Sequence, residues 1–157
     1  MSDFPTPGFP TSARVVIIGG GAVGASSLYH LCKAGWTDCV LLEKNELTAG
    51  STWHAAGNVP TFSSSWSIMN MQRYSAELYR RLGDEVDYPM NYNVTGSVRL
   101  GHTKERLQEF QKVVGMGRYQ GMDLDILSPD EIKSRYPFVE THDLTGALYD
   151  PNDGDID

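Results

Sequence analysis

The sequence predicts an α/β protein that opens on a strand–helix–strand crossover, and three observations carry that expectation. Two short apolar runs, at 14–18 and 39–43, fit within about 30 residues, the length of a crossover unit. A glycine cluster ends the first run, and a stretch of helical character separates the two. With 157 residues, 40% of them hydrophobic and 21% charged, the chain has the size and composition of an ordinary globular domain.

The elements follow in order. Residues 1–13, rich in Pro, Ser and Thr, read as a flexible leader without the layout of a secretory or transit signal. Arg14 to Ile18 is a continuous apolar run, as in a strand buried on both faces. Ala22 to Lys33 reads as a helix with Val23, Leu28, Leu31 and Cys32 on its inner side, and Gly35 falls at its C-cap. Cys39 to Glu43 is a second strand with an acid at its carboxyl end. Between Leu47 and Ser65, Gly50, Gly57 and Pro60 interrupt any period, which predicts a loop.

Ser65 then caps a helix through Leu82, with Ile68, Met71, Ser75, Leu78 and Leu82 as its core stripe. Tyr92, Val94, Gly96, Val98 and Leu100 alternate along one half-exposed strand. Thr103 caps a helix carrying Leu107, Phe110, Val113 and Val114, which stops near Gly121. Leu124 to Leu127 forms a short strand. Ser128-Pro-Asp-Glu131 combines an N-cap, a first-turn proline and a capping-box acid, and Pro137 ends that helix by Tyr136. Thr145 to Tyr149 forms one more strand, and the turn-rich 150–157 suggests a truncated chain. The organisation expected is a leader at 1–13, a βαβ unit with its loop at 14–65, and the start of an α+β domain at 66–157.

Charge narrows the partners. A net charge of −7 makes nucleic acid and anionic membrane poor partners, and no apolar run approaches the roughly 20 residues of a bilayer span. Arg80-Arg81 reads as a solvated helix face. Cys32 and Cys39 match no metal or redox spacing and are expected as buried, reduced thiols of a cytoplasmic protein.

The chemistry concentrates in Gly19-Gly20-Gly21-Ala22-Val23-Gly24, which contains the G-x-G-x-x-G spacing of a Rossmann-like unit. Gly19 permits the tight turn, Gly21 lets a pyrophosphate approach the backbone, and Gly24 lets helix and strand pack closely. Free N–H groups at the helix start would face the phosphates. A glycine cluster alone also marks ordinary turns, but here a strand precedes it and a helix follows. Glu43 lies about 20 residues beyond, where a carboxylate accepts from ribose hydroxyls and repels the extra phosphate of NADP. The loop Gly50-Ser51-Thr52-Trp53-His54-Ala55-Ala56-Gly57 adds small and hydroxyl residues that suit close approach to a long, flat cofactor.

Gly50-Ser-Thr-Trp-His-Ala-Ala-Gly57, set just beyond Glu43-Lys44, closely resembles the dimethylglycine and sarcosine dehydrogenase family, within the D-amino-acid-oxidase-like FAD enzymes. The resemblance extends through Gly96-Ser-Val-Arg-Leu100 and Asp153-Gly-Asp-Ile-Asp157. It implies FAD as cofactor, with Gly19, Gly21, Ala22, Val23 and Gly24 at the diphosphate and Glu43 and Lys44 at the adenosine side. Gly50 to Asn58 would line the flavin, and His54 would be joined covalently to its 8α-methyl carbon. A neutral imidazole nitrogen, abundant near neutral pH, is a suitable nucleophile for that bond. Asp155 departs from the His that close relatives often carry, and Leu28 stands where many FAD domains have a small residue.

The activity implied is oxidation of an N-methylated amine such as dimethylglycine or sarcosine. Oxygen or an electron-transfer flavoprotein would accept the electrons, and tetrahydrofolate could act through a downstream domain. Tyr74, Arg99 and His102 are available polar residues with ordinary surface or core explanations, so the catalytic residues are expected beyond Asp157. Two alternatives stand beside this reading: another flavin amine or amino-acid oxidase, and a regulatory relative acting by protein interaction, which as a family expectation lacks the loop histidine.

Overall fold

A computed structural model describes residues 10–157, so most of the expected leader, 1–9, lies outside the described residues. The chain divides into two compact units, Met1–Ala56 and Gly57–Asp157. The division falls earlier than the boundary expected after residue 65, because 58–59 forms a strand of the second unit's sheet.

The first unit holds β1 (Val15–Ile18), α1 (Ala22–Lys33) and β2 (Cys39–Leu42). The strands pair in parallel, Val15 opposite Cys39 and Ile18 opposite Leu42. A parallel pair needs a crossover, and α1 supplies it. The expected burial of β1 on both faces is not found. Val15 and Ile17 are half-buried, while Val16 is 51% and Ile18 87% exposed. One helix covers one face of two strands, and among the described residues of this unit nothing covers the other. On α1, Val23 points outward and Cys32 is exposed, against expectation, while Cys39 is half-buried. Gly24 faces β1 instead, so the inner stripe passes one residue beyond Val23. Leu28 and Leu31 continue it and are half-buried.

The second unit contains β3 (Asn58–Val59), α2 (Trp66–Val86), β4 (Tyr92–Val94), β5 (Ser97–Gly101), α3 (Lys104–Tyr119), β6 (Asp125–Leu127), α4 (Pro129–Arg135), β7 (Gly146–Asp150) and β8 (Gly154–Ile156). They form two antiparallel sheets, ordered β3-β8-β4 and β5-β7-β6. Successive side chains of β7 point to opposite faces. Leu148 enters a core with Phe62, Met69, Phe110, Val113, Val114 and Leu124, and Ala147 enters another with Leu127, Ile132 and Leu144.

Three expectations change here. The stretch from Tyr92 to Leu100 is two strands in different sheets, because Gly96 takes a φ of 71° and turns the chain. The segment after Asp150 contains β8, whose small and acidic residues hide its strand character. On α2 the buried residues are Met69, Ala76 and Leu78, while Ile68 and Met71 are 45% and 61% exposed. Capping follows the sequence more closely. Thr103 Oγ1 accepts from the Arg106 N–H at 3.2 Å, and Ser128 and Glu131 form a reciprocal capping box. Ser65 holds the N-cap position of α2, but its side chain makes no capping bond. Arg81 pairs with Glu85 on the exposed face of α2, as expected of that basic pair.

Candidate functional site

The glycine turn joins β1 to α1 in the first unit. The Gly19 N–H donates to the Leu42 carbonyl at 2.7 Å, carrying the ladder past the end of β1. Gly19 has a φ of 107°, a conformation that suits glycine. A Cβ on Gly24 would lie 1.9 Å from the Gly19 carbonyl oxygen and 3.5 Å from Ile17 Cγ2. Helix and strand can therefore meet only if residue 24 has no side chain. Gly21 is the N-cap of α1 and supplies no side-chain cap, and the first turn carries no acid. The helix start thus keeps its partial positive charge for an anion, with the Ala22 N–H donating to the neutral Thr52 hydroxyl rather than to a carboxylate.

Glu43 stands just past the carboxyl end of β2. Its Oε2 accepts from the Gly20 N–H at 2.7 Å and its Oε1 from the Asn45 N–H at 2.9 Å. These bonds, the Gly20 bond foremost, hold the carboxyl below its ordinary value of 4.5, so the group is anionic at neutral pH. Gly20 is a residue that the spacing argument passed over. A Cβ there would meet Leu47 Cδ2 at 2.5 Å and Glu43 Cβ at 3.1 Å. The run of three glycines was its only signal. Lys44 is exposed beside the acid.

The following loop folds back over this turn. The Thr48 N–H donates to the Gly20 carbonyl at 3.1 Å, and Thr52 Oγ1 accepts from the Ala22 N–H at 3.0 Å. A Cβ on Gly21 would approach that Thr52 oxygen to 2.9 Å. The hydroxyl of Thr52 therefore sits at the start of α1, among the donors suited to phosphate. His54 comes two residues later, exposed, with its N–H bonded to the Ser51 carbonyl at 3.2 Å. Its Nδ1 lies 3.0 Å from the Gly50 carbonyl oxygen. Because a carbonyl oxygen only accepts, this bond puts a proton on Nδ1. In the neutral ring Nε2 then keeps its lone pair. Trp53 is 77% exposed, and the Ala55 N–H donates to the Thr52 carbonyl at 3.2 Å. Val23 and Ala56 are also exposed.

Two residues of the expected set belong to the second unit. Gly57 has a φ of 75° and donates no side chain, while its carbonyl accepts from the Ile156 N–H at 2.9 Å. Asn58 pairs with Asp155 in the β3–β8 ladder. Arg99 stacks 3.9 Å over the Phe62 ring, and His102 Nδ1 lies 3.2 Å from Asp143 Oδ2, both within that unit. Tyr74 is 45% exposed on α2. Among the described residues no group of three or more His, Cys, Asp or Glu could hold a metal, and no helix is long and apolar enough to cross a membrane.

The residues from Gly19 to His54 fit the long cofactor that the turn suggests: a glycine cradle, a helix start without an acidic residue, a carboxylate past the second strand, and a loop laid over them. Comparison with known proteins agrees. Over 151 residues the chain is 41% identical to mitochondrial dimethylglycine dehydrogenase of Rattus norvegicus, covering 96% of this chain and 18% of that protein. It is 40% identical over 144 residues to the mitochondrial pyruvate dehydrogenase phosphatase regulatory subunit of Mus musculus, covering 92% and 16%. Human mitochondrial sarcosine dehydrogenase is 35% identical over 154 residues, covering 98% and 17%. The chain therefore spans under a fifth of the length of these relatives. The crystal structure of L-proline dehydrogenase from P. horikoshii superposes with a TM-score of 0.85 at 24% identity, covering 95% of this chain and 39% of that one, which shows a shared fold. The family model for FAD dependent oxidoreductases matches residues 14–157, and the chain belongs to that DAO family.

Proposed function

We propose that the full-length protein oxidises an N-methylated amino acid, dimethylglycine- or sarcosine-like, with an FAD bound along Gly19–Asn58 and joined covalently to His54. The observation that carries this reading is the His54 side chain, held by the Gly50 carbonyl so that Nδ1 bears the proton and Nε2 keeps its lone pair. A bound flavin supplies the redox chemistry, accepting a hydride from the carbon next to nitrogen. The chain's own residues bind and orient. The backbone of Gly19, Gly21, Ala22, Val23 and Gly24 receives the diphosphate. Glu43 accepts from the adenosine ribose, with Lys44 beside it, and Gly50, Ser51, Thr52, Trp53, Ala55, Ala56, Gly57 and Asn58 line the flavin. A bound phosphate would compete with the Thr52 hydroxyl for the Ala22 N–H.

Substrate base, electron acceptor and any tetrahydrofolate step belong to residues beyond this chain. Similarity to dimethylglycine and sarcosine dehydrogenases supports the substrate class, and oxygen and an electron-transfer flavoprotein are the two acceptors proposed. A cytoplasmic location rests on two unbridged cysteines, which suit any reducing compartment. Cell fractionation separates it from the mitochondrial location in the relatives' names.

A second reading, a non-catalytic regulatory protein, is favoured by the 40% identity to the phosphatase regulatory subunit. Denaturing electrophoresis of the full-length protein distinguishes the two. Flavin fluorescence that travels with the polypeptide and disappears in His54→Ala is expected, with flavin bleaching on addition of dimethylglycine or sarcosine. A full-length protein that releases all its flavin on denaturation refutes the covalent bond. One that neither binds flavin nor oxidises these amines refutes the enzyme.

A further inference from the structure

Asp150 and Asp153 lie where the second unit passes from one sheet to the other. Two stretches of chain make that passage, β4 to β5 through Thr95-Gly96 and β7 to β8 through 151–153. Ser97 pairs with Asp150 and Val94 with Gly154, so one antiparallel ribbon is bent at a corner. Gly96 donates its N–H to the Asp153 carbonyl across that corner at 2.8 Å. Inside it both carboxyl groups are buried, Asp150 at 0% and Asp153 at 4% exposure.

Donors from three segments reach the pair. The Thr61 hydroxyl donates to Asp150 Oδ2, and the Asn152 N–H to Asp150 Oδ1 at 2.8 Å. The Thr61 N–H donates to Asp153 Oδ1 at 2.6 Å, and the Ser97 hydroxyl to Asp153 Oδ2 at 2.5 Å. The two carboxyls converge on Thr61, one at its hydroxyl and the other at its N–H. No cationic side chain pairs directly with either, among the described residues. Neighbouring carboxylates without a cation resist ionising together, and a proton held by one of them removes the repulsion.

We propose that a proton held by Asp150 against the neighbouring Asp153 makes a pH-sensitive clasp, holding the corner between the two sheets when present and loosening it when Asp150 ionises. The clasp is independent of the cofactor reading. Burial pushes the Asp150 carboxyl up from 3.8 to about 6, against the opposing bonds from Thr61 and Asn152, and the Asp153 charge adds to the rise. An acid raised in the folded state binds its proton more tightly there than in the unfolded chain. Its stabilising effect is complete below 3.8 and is lost as pH rises through about 6.

The charged surroundings limit but do not cancel this. From α2, Arg80 reaches the Asn152 carbonyl at 3.2 Å, and Arg73 and Glu77 border a cavity of about 140 Å³ with Thr61 and Asn152. From β4 comes Tyr92, a phenol that its own burial keeps neutral in this range. Asp155 of β8 adds negative charge on the same side.

The test uses the full-length protein. Denaturant midpoints and amide exchange are measured from about pH 4 to 8 in the native chain, Asp150→Asn and Thr61→Val. The native chain is expected to weaken relative to Asp150→Asn as pH rises. Protection of the Thr61, Gly96 and Asn152 amides should fall about tenfold through the transition. Thr61→Val removes a donor that favours ionised Asp150, so its transition should move to higher pH. Infrared spectra of the native chain should show a protonated carboxyl band that disappears over the same range. Parallel pH profiles in the native chain and Asp150→Asn overturn the clasp. If Asp150→Asn does not fold, absence of that band in the native chain at low pH, or an unmoved transition in Thr61→Val, overturns it.

Discussion

At Gly24 a single hydrogen in place of a side chain decides whether helix and strand can meet. The built Cβ would lie 1.9 Å from the Gly19 carbonyl oxygen, and backbone on both sides leaves no flexible group to move aside. Gly24→Ala is expected to cost about 1–3 kcal/mol or more of stability, as overpacking does, and to reduce flavin retention. Denaturant unfolding and flavin content of the purified full-length protein check both; an alanine variant with native values would mean that α1 can slide. Glu43 is tested by pH. Its carboxyl is held below 4.5, so its contribution is present above 4.5 and lost as pH falls through the lower folded value. Glu43→Gln should remove that acid-side loss, seen as the difference between two acid-unfolding curves. The tight turn at Gly19 and the close helix–strand packing at Gly24 were legible because they follow from spacing along the chain. Gly20 was not, because its role depends on the side chains of Leu47 and Glu43 folding back over it.

Among the elements, local chemistry was easier to read than facing direction. The limits of α1 and the capping box at Ser128 follow from neighbouring residues alone. The inner face of α2 does not, because apolar residues lie on more than one side of it. Met69 is fully buried, while Met71, two residues on, is 61% exposed. Met69→Ala is therefore expected to cost about 2–5 kcal/mol and Met71→Ala close to nothing, measured by chemical denaturation. Equal costs would put the reported face of α2 in error. Caps give a second contrast. Ser128→Ala loses the hydroxyl's bonds with the Glu131 N–H and carboxylate, keeps the backbone N–H bond to that carboxylate, and should cost about 1 kcal/mol. Ser65→Ala removes a hydroxyl that makes no cap and should change stability by only about 0.5 kcal/mol or less. The break at Gly96 escaped the sequence reading for a different reason. Alternation continues through it on both sides, and only the partner strand shows that the ribbon turns a corner.

On the scale of the molecule, the buried apolar side chains among the described residues all belong to the second unit, from Val59 to Leu148. The first unit carries the glycine turn, yet its described residues include no such side chain. It has two parallel strands and one helix, with Val16 and Ile18 open to solvent. Two strands covered on one face supply little hydrophobic stabilisation, and doubly wound sheets have more strands than this. In the 157-residue chain taken alone, the β1 and β2 amides should therefore exchange about a hundredfold faster than those of β7, which lies central in its sheet between two cores. Added FAD should be lost from this chain on gel filtration, since binding must first order a unit that is only marginally folded. Hydrogen exchange with residue-level resolution reads the first outcome and absorbance of the eluted protein the second. If β1 proved as protected as β7 and the flavin stayed bound, the exposed face of Val16 and Ile18 would have to be covered in solution, and the marginal stability argued for the first unit would be wrong.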